Sequence, residues 1–357
     1  MKISVLRHGA REIGGSSGLM ASANMRHLGL AYCATRRVGV AFIVAIAALP
    51  TAADAQPIGY PSKPIRVIVP FPAGSPVDLP ARLIAQRLVE TMGQQIVIDN
   101  RGGASARIGT EAVAKAPRDG YTLLFNNNSH TANVSQFRKL PYDTVVDFAP
   151  ITQVDSTAGN LLVIHPSVPA HSVKELIALA KARPGELNYA TAGVGSPQHI
   201  AAALFAAMAG IKLVHVPYKG NVAALTDVIG GRAEVMVVFP PAALSFIKEG
   251  RLRVLGITGP RRTPMLPDVP TVHEAGVTGY DVVSWHGMWF PAGVPVEIVR
   301  RVRAEVVKAL AVPEVMKQLE ENFLFRVGSS PEEFAEFIRK DIALQASIVK
   351  TIGLEPE

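Results

Sequence analysis

From residue 65 onward, short β-branched apolar runs alternate with longer stretches in which apolar residues recur at helical spacing. Ile-Arg-Val-Ile-Val at 65–69 reads as a strand. Ala81, Ile84, Ala85 and Leu88 then follow the i, i+3, i+4, i+7 spacing of one helix face, and Gly93 supplies a left-handed stop. Further strands are expected over 95–99, 121–125, 150–154, 161–164, 187–190, 213–216, 234–238 and 253–258. Helical stretches separate most of them. Ser172 with Glu175, and Ser330 with Glu333, have capping-box spacing. The first opens a stripe of Val173, Leu176, Ile177 and Ala180, and the second one of Phe334, Phe337 and Ile338. This alternation predicts an α/β fold with mainly parallel sheets.

Two segments read as crossovers. Ser-Thr-Ala-Gly-Asn at 156–160 interrupts two extended runs, and 260–270 is rich in proline. The resulting layout has two α/β lobes: 56–158 forms the first, 159–280 the second, and 281–357 returns to the first with its C-terminal helices. Residues 1–55 read as an export leader. Arg36-Arg37 precedes the apolar run 38–49, and Ala53-Asp54-Ala55 fits a cleavage site that leaves Gln56 at the mature N-terminus. A bilayer span needs about 20 apolar residues, so the run is too short to be one.

Charge and composition narrow the chemistry. The formal net charge is +7, but 1–55 holds six basic against two acidic residues, leaving 30 against 27 in the rest. Without a basic block there, nucleic acid is not an expected partner. The single cysteine, Cys33, lies in the leader, so the exported chain has no thiol for catalysis, disulfides or metal. No His-x-x-x-His pair, P-loop or dinucleotide fingerprint stands in a fitting context. The expectation is therefore no cofactor and no metal.

One tripeptide occurs twice, each time after an expected strand: Gly74-Ser75-Pro76 and Gly195-Ser196-Pro197. Glycine permits the tight exit, serine is a favoured N-cap, and proline suits the first helical position. Two helix N-termini with free N–H groups and positive dipole ends would make two half-sites for one anion.

The residues also carry a family resemblance. Tyr60-Pro61-Ser62-Lys63-Pro64-Ile65-Arg66, Val69-Pro70-Phe71-Pro72-Ala73-Gly74, Asp119-Gly120-Tyr121-Thr122-Leu123-Leu124 and Leu140-Pro141-Tyr142-Asp143 resemble the Bug-type extracytoplasmic solute receptors of tripartite tricarboxylate transporters. So do His215-Val216-Pro217-Tyr218-Lys219-Gly220, Leu266-Pro267-Asp268-Val269-Pro270-Thr271 and Pro291-Ala292-Gly293, in the family's order. The resemblance covers nearly all of 57–357. It implies a type II-like periplasmic binding protein with two α/β lobes and a two-strand hinge. It implies a small organic carboxylate as ligand, membrane permease subunits as partners, a monomer, and a periplasmic location.

Carried over by position, the first-lobe loop would offer Phe71, Ala73, Gly74 and Ser75, with Asp78 ordering it as a cap. Asn127 and Ser129 would stand at the cleft after the third strand, and Thr191, Gly193, Gly195, Ser196 and His199 in the second lobe. Phe239 would face the ligand's far end and favour an aromatic or aliphatic monoacid. Trp285 would line or brace the cleft, and Arg107 would be a cation for a distal carboxylate or a solvated surface residue.

Two other classes stand beside the receptor. A secreted hydrolase acting on a small ester or amide could use Ser196 with His199, although Gly-Val-Gly-Ser lacks the serine-centred elbow of such enzymes. A ligand-sensing accessory protein for a membrane sensor would use the same cleft. The receptor, without catalytic residues, is the expected function.

Overall fold

In a computed structural model, the structure describes residues 59–356. The leader expected over 1–55 lies outside the described residues. Two sheets organise the chain, and every strand exits into a helix or a crossover.

The first sheet is built from β1 (Ile65–Val69), β2 (Ile96–Asn100), β3 (Thr122–Asn127), β4 (Phe148–Thr157), β10 (Trp285–Pro291) and β11 (Leu324–Arg326), in the order β11-β4-β10-β3-β1-β2. Its helices are α1 (Asp78–Met92), α2 (Arg107–Ala114), α3 (Ser129–Gln136), α8 (Val296–Leu310), α9 (Pro313–Glu321) and α10 (Pro331–Ile352). The second sheet holds β5 (Leu161–Ile164), β6 (Asn188–Thr191), β7 (Val214–Pro217), β8 (Val235–Val238) and β9 (Arg253–Ile257), in the order β7-β6-β8-β5-β9. Around it lie α4 (Val173–Ala182), α5 (Pro197–Ala209), α6 (Asn221–Ile229) and α7 (Pro240–Lys248).

Both sheets are mixed, which corrects the expectation of mainly parallel pairing. β1 pairs parallel with β2 and β3, and β6 with β7 and β8. The strands at the lobe crossings, β4, β5, β9 and β10, pair antiparallel. A strand that arrives from the other lobe enters the sheet from the opposite end, so its direction follows the chain path rather than its own composition.

The inner strands are covered on both faces. In β5, Leu161 and Val163 pack with α6 and α7 residues Ala224, Val228 and Ala243, while Leu162 and Ile164 pack with Leu176 of α4 and Phe205 of α5. The first sheet does the same, with Val67 and Phe125 against Ile84 and Val302 on one face and Leu124 and Trp289 against Phe334 on the other. Burying each such side chain contributes about 1.5–3 kcal/mol.

The lobes join where two crossing segments bond to each other. β4 runs on to Thr157, so the first crossing is only 158–160, shorter than the expected 156–160. Thr258 N–H donates to the Asn160 carbonyl at 2.8 Å, and Thr157 N–H to the Ser284 carbonyl at 2.8 Å. Gly159 and Gly259 meet here: a Cβ on either would run into the other segment's backbone.

α10 departs from the expected layout, which assigned the whole C-terminal return to the first lobe. Phe334 and Ile338 pack in the first sheet's core, whereas Ile348, Ile352 and Leu354 pack in the second sheet's core. At 22 residues it is long enough to serve both.

Candidate functional site

A cleft of about 420 Å³ opens at the carboxyl ends of β1, β2, β3 and β6. This is where open α/β sheets bind ligands, and the volume suits a small molecule. The first sheet contributes Phe71, Ser105, Asn128, Ser129 and Asn133. The second contributes Ala192, Val194, Gly195, Ser196 and Pro197. The first crossing supplies Asn160, the second crossing, 258–284 between β9 and β10, supplies 281–284, β10 supplies Trp285, and α10 forms a wall with Asp341, Leu344 and Gln345.

The two Gly-Ser-Pro copies fold differently. In the second, Ser196 is the N-cap of α5: its Oγ accepts from the His199 backbone N–H at 3.2 Å, and Pro197 occupies the first helical position. In the first, α1 begins at Asp78, after an N-cap at Val77 that makes no side-chain bond. Ser75 instead holds a turn, its carbonyl accepting from the Asp78 and Leu79 N–H groups, and its buried Oγ has no partner. The expected cap at Ser75 is therefore corrected.

Asp78 explains the difference. Its carboxylate accepts from Gly74 N–H at 2.8 Å, Arg82 Nε at 2.7 Å and Asn100 Nδ2 at 2.9 Å. Burial would raise this carboxyl, but those three donors hold it below the usual carboxylate range. The first-lobe loop is thus ordered by Asp78, as expected. The same bond occupies the Gly74 N–H that the anion model needed, so the α1 N-terminus already faces its own acid.

The N–H groups at α5 are also fewer than expected. Gly195 N–H donates to His199 Nδ1 at 3.2 Å and Ser196 N–H to the Gly193 carbonyl at 3.3 Å. Pro197 has no N–H, which leaves Gln198 as the first-turn donor without a protein acceptor among the described residues. No acid stands in this first turn. Behind it, His199 stacks on His215 with centroids 4.1 Å apart, and His215 on Tyr189 at 4.9 Å. Burial, then the neighbouring His215, pushes His199 down to about 4, so its ring is neutral at neutral pH and accepts at Nδ1. Thr191 Oγ1 lies 2.7 Å from His215 Nε2 and shapes the turn from below.

Of the expected site residues, Phe71, Ser129, Gly195 and Ser196 line the cleft. Ala73, Gly74, Ser75, Asp78, Asn127, Thr191, Gly193 and His199 stand behind or beside these residues, outside the cleft surface. Asn127 accepts the Ser129 N–H at 2.9 Å and so shapes the start of α3, which the sequence presented as a plain polar turn. Phe239, at the carboxyl end of β8, is the N-cap of α7 and is not among the residues that line the cleft. Arg107 lies over the Phe137 ring at 3.6 Å, its Nε donates to the Ala104 carbonyl at 2.9 Å, and it is not among the residues that line the cleft. Trp285 lines the cleft.

The loop into α2 was not foreseen as unusual. Ala104, Ser105 and Ala106 have φ of 47°, 54° and 69°, three consecutive non-glycine residues in the left-handed region. Asn133 Nδ2 holds the Ser105 carbonyl at 2.8 Å. Backbone held this way costs about 1–2 kcal/mol per residue and persists when its surroundings enforce it.

Sequence reasoning also missed the α10 wall. The signal was present: Asp341 and Gln345 continue the stripe of Phe334 and Ile338, and both are buried. A polar pair inside an apolar stripe marks a place where a helix meets something other than core.

The hydrolase arrangement fails on geometry. Ser196 Oγ accepts from a backbone N–H, and the His199 ring nitrogen nearest this turn accepts from Gly195. Among the described residues no ring nitrogen bonds Ser196, so the Ser196–His199 pairing that nucleophilic attack requires is not formed.

Comparison with known proteins agrees with this architecture. The family model described as the tripartite tricarboxylate transporter family receptor matches residues 80–354. Protein BugT of Bordetella pertussis is 33% identical over 318 residues, covering 88% of this chain and 96% of its own. The structure of R. palustris Rpa4515 with adipate aligns with a TM-score of 0.77 at 36% identity, over 84% of this chain and 100% of the other. That of MatC (Rpa3494) from Rhodopseudomonas palustris with bound malate aligns at 0.72 and 30% identity, over 81% of this chain and 100% of the other. The two-lobed periplasmic binding fold, the cleft at the strand ends and these matches agree: the chain belongs to the tripartite tricarboxylate transporter family of receptors.

Proposed function

We propose that this protein is a periplasmic receptor that captures a small organic carboxylate in the cleft and delivers it to the membrane subunits of a tripartite tricarboxylate-type transporter. The observation that carries the reading is the α5 N-terminus. It lines the cleft, and its first turn contains no acid of its own. The Gln198 N–H and the dipole end there suit a carboxylate. Adipate and malate in the two structural relatives support the ligand class. Lobe closure about the paired crossings would remove the anion from water, where a few N–H and hydroxyl donors hold it more strongly.

A thermal-shift and calorimetry series with mono- and dicarboxylates of three to eight carbons, each beside its methyl ester, tests this. A bound acid at about 100 times its Kd should stabilise the fold by about 2.7 kcal/mol, a melting shift of about 4 °C for a chain of this size. The esterified carboxylate should lose the effect. Equal binding of acid and ester, or no binding by any acid, overturns the reading.

A further inference from the structure

Away from the α5 turn, the cleft lining is rich in acceptors and poor in cations. Asp341 of α10 and Asp281 of the second crossing both belong to it, and among the described lining residues there is no lysine, arginine or histidine. Asp341 is only 7% exposed. Its Oδ2 pairs with Thr131 Oγ1, and Oδ1 completes no hydrogen bond among the described residues. Beside it, Asn128 Oδ1 has no partner although the residue is 8% exposed. The Trp285 indole N–H lies near the Asp341 carboxyl but completes no bond. Buried polar atoms are normally paired, so unpaired ones on a cleft wall mark positions that a bound molecule completes.

Thr131 makes the acceptor at Asp341 independent of ionisation. Its hydroxyl has one proton and two neighbours, Asp341 Oδ2 and the Asn128 carbonyl at 2.9 Å. If Asp341 is ionised, Thr131 donates to it. If Asp341 is protonated, it donates to Thr131, which donates on to Asn128. With the proton on Oδ2 in the neutral form, Oδ1 accepts in both states. Burial pushes the Asp341 carboxyl up, against the hydrogen bond from Thr131 and the lowering influence of the nearby Gln345 amide and Trp285 indole, and partial burial also raises Asp281.

We infer that Asp341, with Asn128 and Asp281, forms a subsite for a hydrogen-bond donor, so that the ligand is a monocarboxylate whose far end carries an amino or hydroxyl group and not a second carboxylate. This rests on the receptor reading, with the ligand's own carboxylate at α5. A second carboxylate at this wall would add acceptors to acceptors and place like charges together. Asp341 would then be a specificity-determining residue, and its opposition to a second anion matters as much as its attraction for the donor.

Calorimetry of the purified protein with four probes of each chain length tests the inference: the unsubstituted acid, the ω-hydroxy acid, the ω-amino acid and the dicarboxylate. The best amino or hydroxy acid should bind at least tenfold tighter than the dicarboxylate of equal length. Asp341→Asn should weaken an amino acid ligand tenfold or more and change a hydroxy acid ligand by less than threefold, which separates the two donors. It should also narrow the discrimination against the dicarboxylate. Asp281→Asn, at the exposed rim, should narrow it too and serves if the buried variant does not fold. A dicarboxylate that binds as tightly as both donors overturns the subsite and leaves the receptor standing. No binding by any of the four overturns both.

Discussion

The Gly195 N–H donates to His199 Nδ1 at 3.2 Å, so a ring nitrogen in the first turn of α5 sets the turn that borders the cleft. The bond needs a neutral imidazole with Nδ1 free to accept. Burial keeps it neutral, pushing His199 to about 4.

This has a consequence for stability against pH. His130, buried among Tyr142, Phe148 and Trp289, is also pushed down to about 4 by burial. Between that value and the ordinary 6.5, the unfolded chain binds more protons than the folded one, so stability falls as pH falls. Each histidine should cost about 2 kcal/mol at pH 5 relative to pH 7 by linkage, with His199 at the lower end because it is less enclosed. Urea unfolding at the two pH values checks this, and His130→Phe should flatten the dependence. An unchanged slope would overturn the assignment.

The two serines of the repeated tripeptide should behave differently. Ser196→Ala removes a cap and should lower stability by about 1 kcal/mol. It should also weaken binding of any acid held at α5. Ser75→Ala removes a buried hydroxyl with no partner and should be neutral or slightly stabilising. Paired urea midpoints decide, and equal losses at both positions would contradict the structure.

Gly159→Ala and Gly259→Ala should each destabilise by about 2 kcal/mol or more, because the added Cβ meets backbone that cannot move aside. Gly159 adds a φ of 106°, outside the range that alanine favours. The loss would appear as a lower urea midpoint. Gly93→Ala, with open space around its Cβ, should show only the left-handed penalty of about 1 kcal/mol.

Ala104→Gly should raise stability by up to about 1 kcal/mol, since it relaxes one of three consecutive left-handed residues at the rim of the cleft. Ser105→Gly should do the same while removing a cleft hydroxyl. A comparison of unfolding midpoints with ligand affinity would separate stored strain from function at this loop.

Local chemistry was legible in the sequence wherever neighbours in the chain determine it. The capping box at Ser330 and Glu333 forms as its spacing predicts, and Ser172 caps α4 through the Glu175 N–H. Nine strand positions follow from short apolar runs, whereas β10, an aromatic segment without β-branched residues, and the three-residue β11 were not foreseen, because only their sheet partners β3 and β4 make them strands. The loop-ordering role of Asp78 was also readable, because its main partners, Gly74 and Arg82, lie within four residues. Asn100, 22 residues away, was not.

What the sequence determined by itself, then, was the alternation of elements, the two lobes and the position of the α5 cap, since short-range sterics and backbone bonding set these. Only the tertiary structure decided which groups face the cleft. It left Phe239 and Arg107 out of the cleft lining, filled the Gly74 and Gly195 N–H groups with side chains of their own segments, and brought Asp341 to Thr131 across 210 residues. The reason is physical: a site is a convergence of segments, and a residue's place in it depends on packing partners that are remote in the chain.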